Sequence, residues 1–175
     1  MTVFFTSDSH FGHAGAIGRF ARPFAGVAAM DDAMIARWNE RVGPDDTVWH
    51  LGDFALRHGP ERMAAILDAL NGTKHLICGN NDGPATKRLP GWSSVGDYAE
   101  LRAGEDGTML VLCHYAFRTW NGQYKGAWNL HGHSHGQLKG TTRQVDVGVD
   151  VWDFRPVTFP EIRDRFTRRR KPAPA

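Results

Sequence analysis

The sequence has few cysteines, little net charge and no long apolar run, and each shortage excludes a class of protein. Two cysteines in 175 residues cannot supply the disulfide framework of a small secreted domain. We expect Cys78 and Cys113 to be free thiols, because each closes a short apolar run typical of a buried strand. No apolar run approaches the roughly 18 residues that a membrane-spanning helix needs. The chain begins without a basic segment followed by an apolar core, so we expect a cytoplasmic protein with no membrane partner.

The charges are balanced, with 21 Lys and Arg against 19 Asp and Glu. This balance does not indicate nucleic-acid or membrane binding. The end of a nucleic acid is kept as an alternative substrate. The length fits a single domain, which we place at residues 1–167. Residues 168–171 are Arg-Arg-Arg-Lys, and we expect residues 168–175 to form a disordered basic tail, with weak polyanion contact as the alternative. The sequence does not indicate an oligomeric state.

Hydrophobic patterning predicts alternating strands and helices in the first half of the chain. The predicted strands cover 2–7, 46–51 and 74–78, and the predicted helices cover 30–42 and 60–70. This alternation is typical of parallel βαβ units. In the second half we expect strands at 98–102, 109–115, 128–132, 144–149 and 156–159, and then a helix from Pro160. The chain is therefore predicted to be one α/β domain.

Polar side chains follow the predicted strands at the points where they end. These residues are Asp8-Ser9-His10, Gly52-Asp53, Gly79-Asn80-Asn81-Asp82, His114 and His133-Ser134-His135. Ligands of α/β sheets bind at the carboxyl ends of the strands, so we expect these residues to meet at one edge. A set of Asp, Asn and His donors suits Mn, Fe, Zn, Co or Ni better than Ca or Mg. The absence of cysteine excludes a cysteine-based structural zinc site.

The five motifs in this order and spacing resemble the calcineurin-like metallophosphoesterases, over about residues 3 to 159. Flanking strings, such as Arg22-Pro23-Phe24, further resemble small bacterial and phage members. The resemblance implies a sandwich of two mixed β-sheets flanked by helices, in four layers. It also implies two divalent metal ions, with Mn²⁺ favoured. The implied ligands are Asp8, His10 and His135 for the first ion, Asn80, His114 and His133 for the second, and Asp53 as the bridge.

The implied reaction is hydrolysis of a small phosphate ester. Two metal ions about 3.5–4 Å apart lower the pKa of a shared water, and the resulting hydroxide attacks phosphorus in line with the leaving group. No protein nucleophile is needed. The small size of the chain and its third motif favour phosphodiesters or cyclic nucleotides slightly. The alternatives are a phosphomonoesterase acting on a metabolite or phosphoprotein, and a weakly active metal-binding scaffold.

The third motif departs from the family, which usually has His where this chain has Asn81. An amide donates a hydrogen bond but cannot protonate a leaving group near pH 7. We predict Asn81, Asp82 and His13 as catalytic residues, with His13 as the replacement proton donor. Without its usual imidazole partner, Asp82 could instead bind backbone. Substrate binding is predicted for Asn81, Arg118 and Arg22, because arginine recognises phosphate well. His50 is expected to be structural, and His131 either to orient a ligand or to pack.

Overall fold

Nine strands and five α-helices make up the computed structural model, which describes residues 1–170 except 105, 140 and 142. Side chains are described up to residue 166. The strands are Val3–Thr6 (β1), Thr47–His50 (β2), Thr73–Ile77 (β3), Trp92–Gly96 (β4), Ala99–Ala103 (β5), Thr108–Leu112 (β6), Trp128–His131 (β7), Gln144–Asp146 (β8) and Val157–Thr158 (β9). The helices are Ala14–Arg19 (α1), Val27–Asn39 (α2), Pro60–Ala69 (α3), Pro84–Lys87 (α4) and Phe159–Arg170 (α5).

The strands form two mixed sheets. The first has the order β4-β3-β2-β1-β9, in which β1 to β4 run parallel and β9 runs antiparallel to β1. The second has the order β5-β6-β7-β8, in which β5 is antiparallel to β6 and the other pairs are parallel. The predicted α/β class is therefore confirmed, with two mixed sheets.

Strand β1 is apolar on both faces because it is covered on both sides. Phe4 packs into a cluster with Met34 and Leu67 from α2 and α3. Phe5 faces the other way, into a cluster with Leu110 and Leu130 of the second sheet. A strand buried on both faces reads as a continuous apolar run instead of an alternating one. The two sheets thus share one core, and α2 and α3 cover the outer face of the first sheet.

The outer face of the second sheet is covered differently. Val111 of β6 packs there against Trp120 and Ala127, which belong to the connection between β6 and β7. Helix α5 packs with the inter-sheet core through Ile162 and Phe166. The four-layer arrangement predicts helices on this outer face. In the described part of the chain, the connection between β6 and β7 covers it instead.

Helix α2 begins three residues before its predicted start. The pair Asp31 and Asp32 suggested a first helical turn, but Asp31 is buried inside the helix. Its carboxylate accepts a hydrogen bond from the Gly12 backbone N–H at 3.1 Å and pairs with His58 Nε2 at 2.8 Å. The acidic residue thus fixes the loop after β1 and does not cap the helix.

Two elements differ more from the sequence prediction. Strand β4 was missed, because it lies at the sheet edge with most of its side chains exposed and has no alternating apolar pattern. Helix α5 runs to Arg170, so the first three residues of the expected tail are helical, and residues 171–175 lie outside the described residues. Cys78 and Cys113 are free thiols, as expected. None of the described helices combines the length and apolar character needed to cross a membrane.

Acid sensitivity is expected to come in part from His50, which is fully buried on β2 beside Ser9 Oγ at 2.8 Å. Burial lowers the pKa of His50 from 6.5 to about 3. Between these values the unfolded chain binds a proton that the folded chain does not, so the unfolding free energy falls as the pH falls. The loss is up to about 1.4 kcal/mol per pH unit. Urea unfolding of the chelator-treated protein from pH 7 to pH 4 should show a shallower acid slope for His50→Gln.

The matched control is His75→Gln on β3, which is only half-buried. It should leave most of the acid slope in place. Equal slopes for the wild type and His50→Gln would contradict the assignment.

Candidate metal centre

The seven predicted metal ligands come together at the carboxyl ends of β1, β2, β3, β6 and β7. Ligand atoms of Asp8, His10 and His135 lie within 4.8 Å of one another, and so do those of Asp8, Asp53 and His114. The two remaining residues join the second group. Asn80 Oδ1 lies 3.1 Å from His114 Nε2, and the His133 ring centroid lies 5.1 Å from that of His114.

Three distances between imidazoles and carboxylates define the centre. Asp53 Oδ2 lies 3.6 Å from His10 Nε2 and 3.7 Å from His114 Nε2. Asp8 Oδ1 lies 3.7 Å from His135 Nε2. These separations are too long for hydrogen bonds. They are short enough for both atoms of each pair to contact one ion at about 2.0–2.2 Å.

Unpartnered polar atoms show that the donor set fits metal ions. Among the described residues, Asp8 Oδ1 and both ring nitrogens of His10 are buried without a hydrogen-bond partner. A buried polar atom without a partner costs about 1–3 kcal/mol. A divalent cation among these atoms would remove that cost.

Hydrogen bonds fix which nitrogen faces the centre in two of the imidazoles. His114 Nδ1 donates to the Leu51 carbonyl at 2.7 Å, and His135 Nδ1 donates to Asp150 Oδ2 at 2.7 Å. A carbonyl or carboxylate oxygen can only accept, so the proton sits on Nδ1 and the Nε2 lone pair points inward. This arrangement is typical of histidine ligands to metals.

The protonation states favour cation binding. Burial lowers the pKa of His10 to about 3 and also lowers the pKa of His114, so both imidazoles are neutral near pH 7. Burial raises the pKa of the Asp8 carboxyl well above its usual range, and the charges of Asp146 and Asp53 raise it further. A nearby cation would stabilise the ionised form of Asp8.

Backbone strain is concentrated in the ligands. Five of the seven have the left-handed backbone conformation, which non-glycine residues rarely adopt. They are Asp8 (φ 57°), His10 (φ 51°), Asp53 (φ 58°), His133 (φ 63°) and His135 (φ 46°). Such residues cost about 1–3 kcal/mol each and cluster at functional sites. Here the left-handed turns follow directly after the strands and aim neighbouring side chains at one point.

A pocket of about 340 Å³ opens over the centre. Three lining residues belong to none of the predicted motifs, namely Arg19, Phe20 and Gln137. The Phe20 ring stacks on the His135 ring with centroids 3.4 Å apart. Both Arg19 and Phe20 come from the end of α1, a short helix that lies outside the predicted helices 30–42 and 60–70. No periodic pattern marks them.

The two arginines predicted to bind substrate lie outside the described lining of this pocket. The Arg22 side chain is fully buried, and its guanidinium donates to Asp150, Asp8 O and Ser9 O, with a further contact to Met30 Sδ. Arg118 is exposed and lies outside the described lining of the pocket. Neither side chain lies in the described lining, and substrate binding by Arg22 and Arg118 stays a prediction. The arginine of the described lining is Arg19.

Of the predicted catalytic residues, Asn81 and His13 line the pocket, whereas Asp82 is not part of the described lining. Asn81 lines the pocket, and its Nδ2 donates to Asp53 Oδ2 at 2.6 Å. Asp82 is buried and accepts backbone N–H bonds from Asp53, Phe54 and Gly79 at 2.8–3.0 Å. It therefore binds backbone, as the alternative for this residue expects, and its catalytic role stays a prediction.

His13 lines the pocket beside His10, with ring centroids 5.4 Å apart. Burial lowers its pKa, and so do the nearby charges of Arg57 and Arg22. The other two histidines lie outside this lining. His50 is buried against Ser9, and His131 is buried with Nδ1 at 2.9 Å from the Gly132 carbonyl.

Comparison with known proteins places the chain in a family. The Gene 66 protein of Mycobacterium phage D29 is 34% identical, in an alignment that covers 93% of this chain and 94% of that protein. The chain belongs to the Gene 66 family. The Gene 66 protein of Mycobacterium phage L5 is 31% identical, with 93% and 92% covered. No protein-family model matches the chain.

The fold also occurs in a crystal structure. AQ665 from Aquifex aeolicus, a protein of unknown function, matches with a TM-score of 0.75 and 23% identity, covering 93% of this chain and 98% of that one. None of these relatives carries an activity in its name.

Close packing behind the centre depends on Gly132. A Cβ atom there would overlap Ser7 Oγ and Asp8 Oδ2 and lie 2.7 Å from Ser7 Cβ. We expect Gly132→Ala to displace the Asp8 carboxylate, lower stability by about 1–3 kcal/mol and weaken Mn²⁺ binding. Thermal unfolding and Mn²⁺ titration would measure the two effects.

The control substitution is Gly18→Ala in α1, where no described atom lies within 4 Å of the added Cβ. It should leave metal binding unchanged and stabilise the helix by up to about 1 kcal/mol. Wild-type stability and Mn²⁺ affinity for Gly132→Ala would contradict the packing argument.

Proposed function

We propose that the protein is a dinuclear metal-dependent phosphoesterase with a metallophosphoesterase-type sandwich. The observation that carries this proposal is the position of Asp53 Oδ2, which lies 3.6 Å from His10 Nε2 and 3.7 Å from His114 Nε2. One carboxylate oxygen between two imidazoles from different strand ends suits two ions that share a bridging ligand. Asp8, His10 and His135 would hold the first ion. Asn80, His114 and His133 would hold the second.

The donor set favours Mn²⁺, with Fe, Zn, Co and Ni as alternatives, because it mixes carboxylate, amide and imidazole ligands without thiolate. When bound, two such ions supply a water that ionises near neutral pH and positive charge for the phosphate oxygens. The remaining chemistry belongs to the residues of the pocket.

Three pocket residues would act on the substrate. Arg19 is exposed and lines the pocket, so its guanidinium would hold a phosphate oxygen in place of the predicted Arg22 and Arg118. The Asn81 amide donates to Asp53 Oδ2 and so fixes the bridging carboxylate. Phe20 covers the His135 ring and forms an apolar wall.

Phosphodiesters, including cyclic nucleotides, are our proposed substrate class, with phosphomonoesters as the alternative. Asn81 cannot protonate a leaving group near pH 7. The lowered pKa of His13 leaves little imidazolium at that pH, so His13 would be a weak replacement acid. In the described residues no further domain covers the pocket, which leaves room for a second ester group.

Hydrolysis of bis-p-nitrophenyl phosphate in the presence of Mn²⁺ tests the proposal directly. Turnover should require the metal and disappear with chelator. Asp53→Asn should lower kcat/KM by on the order of 100-fold or more, because even ligand-orienting residues outside a metal centre contribute 10–100-fold. The matched control is Asp153→Asn, since Asp153 is 72% exposed and has a similar left-handed backbone (φ 54°). It should retain wild-type activity.

Other outcomes of the same assay separate the alternatives. Turnover of p-nitrophenyl phosphate alone would indicate a phosphomonoesterase. Metal binding without turnover of any mono-, di- or cyclic ester would indicate a scaffold. A wild-type protein that binds no metal would sink the proposal.

A second assay concerns position 81. Asn81→His should raise activity on esters with poor leaving groups, such as alkyl esters, because it supplies a proton donor. General acids contribute about 10²–10⁴-fold, which bounds the gain. Esters of p-nitrophenol leave without protonation and should gain little, so they serve as the internal control. The comparison is repeated with His13→Ala added to the wild type and to Asn81→His, which removes the other candidate acid. If Asn81→His raises no rate in either comparison, the lack of a general acid does not limit the reaction.

A further inference from the structure

Arg22 has an unusual number of hydrogen-bond partners for a residue outside the described lining of the pocket. Its side chain is 0% exposed. Nε and Nη2 donate to the two oxygens of Asp150 at 2.8 and 2.9 Å. Nη2 also donates to the Asp8 carbonyl at 2.7 Å, and Nη1 donates to the Ser9 carbonyl at 2.8 Å. The guanidinium is therefore fixed in one orientation.

Asp150 connects this guanidinium to a predicted metal ligand. Its Oδ2 accepts from Arg22 Nη2 and also from His135 Nδ1 at 2.7 Å. The residue lies in a short 3₁₀ turn after β8, and its side chain is 8% exposed. Asp150 thus holds His135 with Nε2 turned towards Asp8.

Arg22 also holds the turn that carries the other two ligands of the first ion. Asp8 and His10 both have left-handed backbones, at φ 57° and φ 51°. The carbonyls that Arg22 binds belong to Asp8 and Ser9, inside that turn. One guanidinium therefore fixes Asp8 and His10 through their backbone, and His135 through Asp150. In the second site, His114 is held by a different partner, since its Nδ1 donates to the Leu51 carbonyl.

We propose that Arg22 and Asp150 are positioning residues that hold the ligands of the first metal site in place. They do not act on the ligands of the second site. This inference rests on the proposed dinuclear centre. Neither residue lies in the described lining of the pocket. Asp150 acts through His135, and Arg22 acts on Asp8 and His10 through the backbone of their turn. The second site should be insensitive to them.

The chemistry of the pair makes small substitutions informative. The amide of Asp150→Asn offers one acceptor oxygen and one NH₂ group. Whichever way it is oriented, one N–H of the amide faces an N–H of Arg22 or His135. Arg22→Lys replaces five N–H donors in a planar fork by one ammonium group, which cannot reach Asp150, Asp8 and Ser9 together.

Metal titration of the full chain, without any substrate, tests the inference. Chelator-treated protein is titrated with Mn²⁺ by calorimetry and with Co²⁺ by visible absorption. We expect two ions per wild-type chain. In Asp150→Asn and Arg22→Lys the Kd of one ion should rise about 10–100-fold, and the Kd of the other should stay unchanged.

Two controls exclude a merely structural effect. Glu161→Gln makes the same carboxylate-to-amide change in another arginine pair, with both Glu161 oxygens 2.7 Å from Arg41 Nη2. It should leave both metal affinities unchanged. Adding Asp150→Asn to His135→Ala should cause no further loss, because the residue that Asp150 positions is already gone.

The outcomes separate this inference from the proposed function. A wild-type chain that binds fewer than two ions contradicts both. Two ions in the wild type, with unchanged affinities in folded Asp150→Asn and Arg22→Lys, overturn the positioning role alone. Equal weakening of both sites, or additive losses with His135→Ala, also overturns it. Circular dichroism identifies folded variants, and Arg22→Lys carries the comparison if Asp150→Asn does not fold.

Discussion

The centre of this protein depends on two buried carboxylates that the surrounding imidazoles approach without hydrogen-bonding. Asp8 and Asp53 each lie 3.6–3.7 Å from histidine Nε2 atoms. Among the described residues, Asp8 Oδ1 has no hydrogen-bond partner at all. Such an arrangement is unfavourable for a protein alone, because buried charges and buried polar atoms without hydrogen-bond partners are costly. It becomes favourable once cations lie between the donors.

Other contacts in the fold stabilise this arrangement, although the backbone of several of its residues is strained. Left-handed residues after β1 and β2 turn the ligands inward, and tight glycine contacts let the strand ends approach closely. Asp82 binds three backbone N–H groups around Asp53 and so fixes the turn after β2. Arg22 does the same for the turn after β1. Asn81, where the third motif departs from the family, adds a side-chain hydrogen bond to the Asp53 carboxylate.

The sequence predicted the parts of the fold that follow from periodicity. Buried strands such as β1 and amphipathic helices such as α3 carry their pattern in consecutive residues, so their existence could be inferred. Strand β4 could not, because an exposed edge strand has no buried face to impose alternation. The start of α2 was misplaced because Asp31 was interpreted as a helix-start signal, whereas its carboxylate binds Gly12 and His58.

By itself the sequence determined which side chains stand at strand ends, and so which donors meet. Parallel strands separated by helices deliver their carboxyl ends to one edge, and the motifs directly follow those ends. Only the tertiary structure decided which arginine faces the pocket and which is buried. Arg19 and Arg22 are three residues apart, with the same charge and the same donors. Their roles diverge because α1 ends at Arg19 and the chain then turns Arg22 inward towards Asp150, a partner 128 residues away. A local sequence pattern cannot indicate a contact between residues so far apart in the chain.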